Sequence, residues 1–233
     1  MKKLLLNLIL PLLFVVPTTL RAQDSLQINF GADIVSRFIW RGMDSGQGVS
    51  FQPSLAFSYK GLCLEAWSSE SFQDLSLKEF DLMLSYNIGG LTLTLSDYFW
   101  AGDSVSYSDF QENHHPEATL SYDFDPVPLE LSWSTFLFAG KDVEIDEDDD
   151  RVYSSFFSLS SHFDVRGVEF TPTLGFTPWR GMYYDKFGVM EVSLKASKDL
   201  QITDHFSLPI FSLVSVSPAL QRTYLVFGLS INI

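Results

Sequence analysis

His114, His115 and Glu117 lie within four residues of one another and are the side chains of this sequence best suited to chemistry. Two imidazoles beside a carboxylate could ligate a metal ion, and a histidine could serve as the general base of a lipid-modifying hydrolase. A hydrolase would also need a nucleophile, and the many serines of the chain offer no single candidate. We therefore assign no catalytic residue, metal ligand or cofactor, and we predict that the protein is not an enzyme.

Two further sets of residues have both a functional and a purely structural interpretation. His162 lies near Ser158 and Ser160 on the polar face of a predicted strand, where we expect an ordinary interior residue. The acidic segment 141–151, KDVEIDEDDDR, could gather divalent cations near lipopolysaccharide. It lacks the Asp-x-Asp-x-Asp-Gly spacing of a calcium loop, so the sequence favours a solvated loop and leaves its role open.

The elements that must position these groups are strands, and the clearest is the stretch from Leu26 to Gly42. Apolar and polar side chains alternate along it, which is the period of a strand with one apolar and one polar face. Phe30 and Trp40 stand on the apolar face, roughly 33 Å apart at about 3.3 Å per residue. A tilt of about 40° reduces this to roughly 25 Å, the height of the apolar band of an outer-membrane barrel with its aromatic girdles. We therefore predict that this strand faces lipid on one side and a lumen on the other.

The same alternation recurs to the end of the chain and predicts about twelve strands. Tight turns such as Lys60-Gly61 and Arg166-Gly167 alternate with longer polar connections, which is the asymmetry of a transmembrane barrel. An even number of strands predicts that both termini lie in the periplasm, and we expect the last strand, which runs to Ile233, to pair with the first and close the cylinder. The predicted fold is all-β, a transmembrane antiparallel up-and-down barrel in residues 23–233.

The first 22 residues are typical of a cleaved signal peptide. Lys2 and Lys3 precede an apolar run from Leu4 to Val16 that is too short to span a bilayer as a helix. After it, no apolar run approaches the ~20 residues of a membrane helix. Export without membrane helices, in a chain with 15% aromatic residues, favours a barrel, because only helices and closed barrels satisfy every backbone group in lipid.

The charge of the chain excludes nucleic acid as a partner. Residues 1–22 hold three of the 15 basic residues and none of the 29 acidic ones, so the mature chain carries 12 basic against 29 acidic residues, a formal charge of −17. Such a protein repels a phosphate backbone. Charged residues make up only 19% of the chain, below the ~25% usual for soluble domains, and this also favours a membrane location.

The polar faces of the predicted strands are rich in carboxylates. The lumen-facing candidates are Asp33, Arg37, Arg41, Glu65, Glu79, Asp81, Glu117, Glu130, Glu169, Glu191 and Lys195, and the candidates for the aromatic girdles are Phe30, Trp40, Trp100 and Trp133. An acidic pore with low-dielectric walls would concentrate cations. Arg37 and Arg41 could instead pair with Glu65 and Asp33 across neighbouring strands and fill a narrow lumen. About twelve strands lie between filled eight-stranded barrels and open porins, so both interpretations stay open.

Four residues conflict with regular strands. Pro53, Pro172 and Pro209 each remove a ladder hydrogen bond, so we expect a local bulge at each. Strict alternation would aim Asp97 at lipid, where an acid is costly. We expect a bulge at this point to turn Asp97 inward and to bring Tyr98 outward to the upper girdle.

The run VSRFIWRGMDSGQGVSFQPSLAFSYKGLCLEAWSS, residues 35–69, resembles the opening of the TorF-type porin family of bacterial outer-membrane β-barrel proteins. In that family an aromatic-rich strand ends in Arg-Gly, here Arg41-Gly42, and a short polar loop follows. The next two strands carry an aromatic-Gly turn and a Trp-Ser ending, here Trp67-Ser68. The resemblance implies an outer-membrane barrel that forms a pore, and it implies no catalytic residues.

The residues and the resemblance together favour an outer-membrane barrel that is a narrow porin or channel for passive passage of small solutes. Its lumen would be acidic and would prefer cations. Its expected partners are outer-membrane lipid, lipopolysaccharide and the barrel-assembly machinery. Two alternatives remain: an outer-membrane lipid-modifying hydrolase, and a secreted soluble β-sandwich. A sandwich would also alternate, although its outward face would normally carry Lys and Glu where this chain has Ser and Thr.

Overall fold

The computed structural model describes residues 25–46, 48–73, 78–101, 105–110, 113–138, 151–204 and 206–232. The predicted signal peptide and residues 141–150 of the acidic segment lie outside the described residues. In the described ranges the chain forms twelve barrel strands and one short hairpin. The strands are β1 (Gln27–Val35), β2 (Ser50–Tyr59), β3 (Leu62–Ser71), β4 (Lys78–Ile88), β5 (Leu91–Ala101), β6 (His114–Asp123), β7 (Leu129–Phe136), β8 (Ser155–Ser161, continued after His162 by Phe163–Val165), β9 (Val168–Thr177), β10 (Gly188–Thr203), β11 (Phe206–Ser217) and β12 (Arg222–Asn232). None of these residues belongs to a helix long and apolar enough to cross a membrane.

Each strand pairs antiparallel with the next one along the chain, and the last strand pairs with the first. The β1–β12 ladder begins with Gly31 opposite Asn232. The sheet is therefore closed, and the predicted up-and-down barrel of twelve strands is confirmed. One of its tight turns has positive φ at both Lys60 and Gly61, as a two-residue hairpin of type I′ requires.

The connections differ in length between the two ends of the barrel. Those after β2, β4, β6, β8 and β10 are short, and we call that end the turn end. The connections after β1, β3, β5, β7, β9 and β11 meet at the opposite end, which we call the long-loop end. This asymmetry follows the alternation of short and long connections in the sequence.

The two faces of the wall differ in residue type. Large apolar side chains such as Leu93 and Leu95 point outward and remain exposed. Serine and threonine point inward, and some are bonded to each other across strands, as in the pair Ser132–Ser158 at 2.7 Å. In a soluble sandwich the apolar faces of two sheets meet in a core. The soluble alternative is therefore wrong, because the apolar face of this sheet is its exterior.

Each of the three prolines keeps its pair with one neighbouring strand, whereas the ladder on the other side of the strand has no pair at the proline. The ladders keep one register past Pro53, Pro172 and Pro209. The register shifts in these ladders lie elsewhere, between Gly175 and Phe176 and near the end of β10. The predicted bulges at the prolines are wrong, because a missing N–H removes one hydrogen bond while the flanking pairs hold the register.

Pairing is also unbroken at Asp97, which lies opposite Leu82 in β4 and Pro116 in β6. The side chain of Asp97 therefore keeps its place on the outward face. The predicted bulge is wrong, and so is the outward position of Tyr98, which is buried inside the barrel. A contact with His114, described below, accommodates the outward carboxylate.

The first strand ends at Val35, short of the predicted end at Gly42. The chain then enters the barrel as residues 36–46, which we call the inner segment. Within it, Ile39–Trp40 and Met43–Asp44 form a two-stranded hairpin. The alternation that predicts one long strand is therefore produced by two extended pieces, because both have the same period of two.

Candidate pore interior

The inner segment contacts the barrel wall on two sides. The Trp40 ring packs against Tyr98 of β5 at 5.6 Å and against Tyr183, in the connection before β10, at 5.7 Å between ring centroids. On the β10 side, a Cβ atom at Gly42 would lie 1.9 Å from the carbonyl oxygen of Met190. The φ of Gly42 is +76°, so only glycine fits this turn and this contact.

Arg41 connects the turn of the inner segment to β6. Its Nη1 and Nη2 atoms donate to the Glu117 carboxylate at 2.5 and 2.8 Å. The Tyr98 hydroxyl donates to the same carboxylate at 2.9 Å, and Arg41 also donates to the Tyr183 hydroxyl. Burial raises the pKa of Tyr183 well above its ordinary value, so this hydroxyl stays protonated. The Glu117 side chain is 0% exposed and that of Arg41 13%, so water is largely excluded from this ion pair. Hydrogen bonds from Arg41 and Tyr98 compensate the buried carboxylate of Glu117.

Aromatic rings surround the Arg41 guanidinium, which lies 4.6 Å from the centroid of Trp40 and 5.1 Å from that of Phe156. The buried residues around it form one cluster: Tyr98, Phe136, Phe156, Tyr183 and Met190. Most of these side chains come from strand positions next to the long-loop end. The lumen is therefore filled most completely at this level.

Toward the turn end the lumen is less filled. The inward side chains Ser85, Thr94, Ser121, Ser132 and Ser160 are only partly buried there. Their hydroxyls give this part of the interior a polar surface. A solute crossing the barrel would therefore meet its narrowest point at the inner segment.

A cavity of about 470 Å³ opens between the inner segment and the wall formed by β2 to β5. We call it the mouth cavity, because it lies at the long-loop end. Three aromatic side chains line it, Phe38, Trp40 and Trp100. Asp44, Lys78, Glu79 and several serines supply its polar surface.

The structure places most of the predicted lumen residues on the inward face of their strands. These are Asp33, Glu65, Glu79, Asp81, Glu117, Glu130, Glu169, Glu191 and Lys195. The Lys195 ammonium lies 4.3 Å from the ring centroid of Phe211, which also points inward. Glu191 accepts a hydrogen bond of 2.7 Å from Ser193. The strand pattern therefore assigns the correct face to these residues without identifying their partners.

The two arginines of the predicted first strand lie elsewhere. Arg37 is exposed near the start of the inner segment and pairs with Asp44 at 2.7 Å. Arg41 occupies the hairpin turn and pairs with β6, as described above. The predicted pairs with Glu65 and Asp33 are wrong, because the chain leaves the wall before it reaches either arginine.

The four girdle candidates divide into two pairs. Phe30 is exposed on the outer wall, and Trp133 stacks there on Phe157 with ring centroids 5.8 Å apart. Trp40 and Trp100 pack against each other inside the barrel at 5.9 Å. The prediction that these two face lipid is wrong, because Trp40 belongs to the inner segment and the unbroken β5 keeps Trp100 on the inward face.

His114 and His115 point to opposite faces of β6. On the outer face, His114 Nδ1 lies 2.7 Å from Asp97 Oδ2, and Nε2 lies 2.7 Å from the carbonyl oxygen of Tyr107. A carbonyl oxygen only accepts, so Nε2 donates to it, and Nδ1 is occupied by its contact with Asp97; neither nitrogen is therefore available as a base. His115 instead faces the lumen against Trp100 at 4.1 Å. The geometry therefore does not support the metal or hydrolase interpretation, and no three potential metal ligands come together in the described ranges.

Tyr183 and Phe156 are interior residues that the sequence analysis did not single out. Tyr183 lies in a connection rich in aromatic residues, which was the available signal, and Phe156 is the second residue of β8. His162, by contrast, is exposed between the two pieces of β8. Contact with a segment from the other end of the sequence, and not local pattern, gives Tyr183 its place.

No protein-family model and no curated protein matches this chain. Among solved structures it is similar to the KdgM porin, with 6% identity and a TM-score of 0.47, over 89% of this chain and 98% of that one. It is also similar to the NanC porin, with 10% identity and a TM-score of 0.42, over 88% of this chain and 98% of that one. A mutant of the Rh. blastica porin matches at 11% identity and a TM-score of 0.39, over 79% of this chain and 55% of that one. The resemblance to the TorF-type family stays a prediction.

Proposed function

We propose that this protein is an outer-membrane channel for the passive passage of small solutes, narrowed by its inner segment and preferring cations. The observation that carries the proposal is a closed wall with an apolar exterior around an interior that bears carboxylates. Closure pairs the edge strands with each other, which is the condition for strands to cross lipid. Outward leucines such as Leu93 and Leu95 would then contact acyl chains.

The proposal includes the path of the protein to the membrane. Residues 1–22 would direct export, and the barrel-assembly machinery would insert the barrel beside lipopolysaccharide. The turn end would face the periplasm and the long-loop end the exterior, as in bacterial outer-membrane barrels. Membership in the TorF-type family belongs to the same proposal and is supported by Arg41-Gly42 and Trp67-Ser68.

The proposed preference for cations follows from the interior charges. Among the predicted lumen residues that face inward from the strands, Lys195 is the only base. Arg41 neutralises Glu117, and the other carboxylates outnumber Lys195. A narrow lumen with low-dielectric walls strengthens their field, so it attracts cations and repels anions.

Reversal potentials in planar bilayers test this function. Refolded protein under a KCl gradient should conduct and should show a potential of the sign expected for K⁺ preference. Asp33→Asn should reduce this preference, while Asp185→Asn, in an exposed connection, should leave it unchanged. Absence of conductance from correctly folded protein would remove the channel proposal, and a preference for Cl⁻ would remove only its cation-selective form.

A further inference from the structure

Five large apolar side chains lie in the wall of the mouth cavity. Three are the rings of Phe38, Trp40 and Trp100, and two are the thioethers of Met43 and Met182. All except Phe38 also pack against the buried cluster of the lumen, so the folded protein holds them in place. A volume of about 470 Å³ with aromatic and apolar walls is typical of a small-molecule site.

The charged side chains of this wall carry both signs. Lys78 and Glu79 are consecutive residues of β4, and both line the cavity. Asp44, a second carboxylate of the wall, is already paired with Arg37 at 2.7 Å. Lys78 also lies 3.6 Å from Glu70 of β3. The wall therefore has no single sign of charge that would select cations over anions or the reverse.

Hydroxyl groups complete the polar part of the wall. They belong to Ser45 of the inner segment, Ser50 of β2, and Ser69 and Ser71 of β3. Ser69 Oγ accepts a hydrogen bond of 3.1 Å from Gln52 Nε2, and its own proton can still be donated. Because a hydroxyl group both donates and accepts, these serines are suited to an uncharged amide or hydroxyl group of a solute.

The rings of the wall favour an aromatic solute over a saturated one. Trp40 and Trp100 meet edge to face, with centroids 5.9 Å apart and an angle of 73° between the planes. Phe38 packs on the Trp67 ring at 5.3 Å. Aromatic pairs at such distances are stabilised beyond the effect of the apolar area that they bury. A planar ring in the cavity would gain this contribution, and an aliphatic ring of similar size would not.

The cavity depends on the position of the inner segment. About half of its described lining residues belong to that segment, among them Phe38, Trp40 and Gly46. The cavity therefore exists only while the inner segment lies in the lumen. A solute that binds this arrangement and no other shifts the equilibrium toward it. Trp40 also lies 4.6 Å from the Arg41 guanidinium, so the cavity adjoins the ion pair at the constriction.

We propose that the mouth cavity binds small uncharged solutes that carry an aromatic ring, and that a bound solute holds the inner segment in the lumen. The site rests on the proposed channel function and deepens it by naming a class of solute. It does not depend on the preference for cations, because carboxylates neither attract nor repel a solute without charge. The solute ring would contact Phe38, Trp40 and Trp100, and its polar group would bind the serines.

Benzamide and its saturated counterpart cyclohexanecarboxamide test the proposal by calorimetric titration of mature protein refolded in detergent. Benzamide should bind saturably and roughly threefold or more tighter than cyclohexanecarboxamide. Equal affinity of the two amides would overturn the proposal, and so would no binding of benzamide. Benzamidinium and benzoate carry opposite charges on the same ring and should bind no more tightly than benzamide. Tighter binding of either ion would show that the site selects charge and would also overturn the proposal.

Matched variants locate the site. Phe38→Leu keeps an apolar side chain but removes one ring, so it should weaken benzamide binding roughly threefold or more. Phe30→Leu removes a ring from the outer wall and should leave benzamide binding unchanged. Equal affinities of the two variants would contradict the assignment to the cavity. The comparison of the four compounds needs no variant and decides the question if Phe38→Leu does not fold.

Two measurements test the effect on the inner segment. Benzamide should lower the single-channel conductance saturably, with its midpoint at the concentration that half-saturates binding. Arg41→Met removes the ion pair that holds the inner segment and should lose benzamide binding. Unchanged conductance at saturating benzamide, or wild-type affinity in folded Arg41→Met, would overturn the link between the site and the inner segment.

Failure of the site can be told from failure of the channel. Conductance without benzamide binding would remove the site and leave the channel. Benzamide binding by folded protein that does not conduct would keep the site and remove the channel, and the affinity of Arg41→Met would still test the link to the inner segment.

Discussion

Replacing Arg41 by methionine should release the inner segment and raise the conductance of the channel. The side chain of Glu117 is fully buried and takes both of its charged hydrogen bonds from Arg41. Arg41→Met leaves that carboxylate charged and without a cation. Movement of the inner segment out of the lumen would let water reach Glu117. The substitution therefore destabilises the closed arrangement, in which the inner segment lies in the lumen, and does not destabilise the barrel wall.

The size of the effect follows from the burial of the pair. Removing one partner of a buried ion pair costs about 3–5 kcal/mol, because the remaining charge is uncompensated. At about 1.4 kcal/mol per factor of ten, this shifts the balance between the closed and released arrangements by roughly 10²- to 10⁴-fold. By contrast, an exposed pair such as Arg37–Asp44 contributes only about 0–1 kcal/mol.

Single-channel recordings of refolded protein measure this shift. Arg41→Met should spend far more time in a high-conductance state than the wild type, and Arg37→Gln should behave like the wild type. The double variant Arg41→Met with Glu117→Gln carries no buried charge at this point and should largely restore the wild-type record. Folding is checked by heat-modifiable migration. If folded Arg41→Met conducts like the wild type, the Arg41–Glu117 pair does not hold the constriction.

Three other substitutions test separate parts of the structure. Gly42→Ala should also raise conductance, because the positive φ alone costs about 1–3 kcal/mol and the added methyl group has no room; wild-type recordings from the folded variant would contradict this close contact. Leu95→Lys should lower the free energy of unfolding of the protein in vesicles by about 2–4 kcal/mol, measured by urea titration, and Thr94→Lys should lower it by clearly less; equal losses would refute the assignment of faces. His114→Ala leaves Asp97 unpaired on the outer wall and removes a bond of about 1.5–3 kcal/mol, so chymotrypsin should cleave residues 105–110 faster; unchanged cleavage would show that this contact does not hold the segment.

The local sequence pattern was sufficient to predict the strands that form the wall of the barrel and the faces of their side chains. Alternation assigns Leu93 and Leu95 to one face and Thr94 to the other because the side-chain period of a strand is a property of the backbone itself. Turn residues such as Lys60-Gly61 mark the ends of strands for an equally local reason, since their positive φ values close a two-residue hairpin. The same rule placed Asp97 outward, and the expected bulge that overrode it was wrong.

The contacts inside the barrel could not be predicted without the tertiary structure. Arg41 and Glu117 are 76 residues apart, and Arg41 and Tyr183 are 142 residues apart, so no window of the sequence contains these contacts. The period of two also cannot distinguish a strand that continues in the wall from a hairpin that turns into the lumen, because both are extended. The sequence by itself therefore determined a closed barrel with an apolar exterior and a polar inward face. Only the folded chain, by bringing Trp40 and Arg41 against β5 and β6, decided where that interior is narrow.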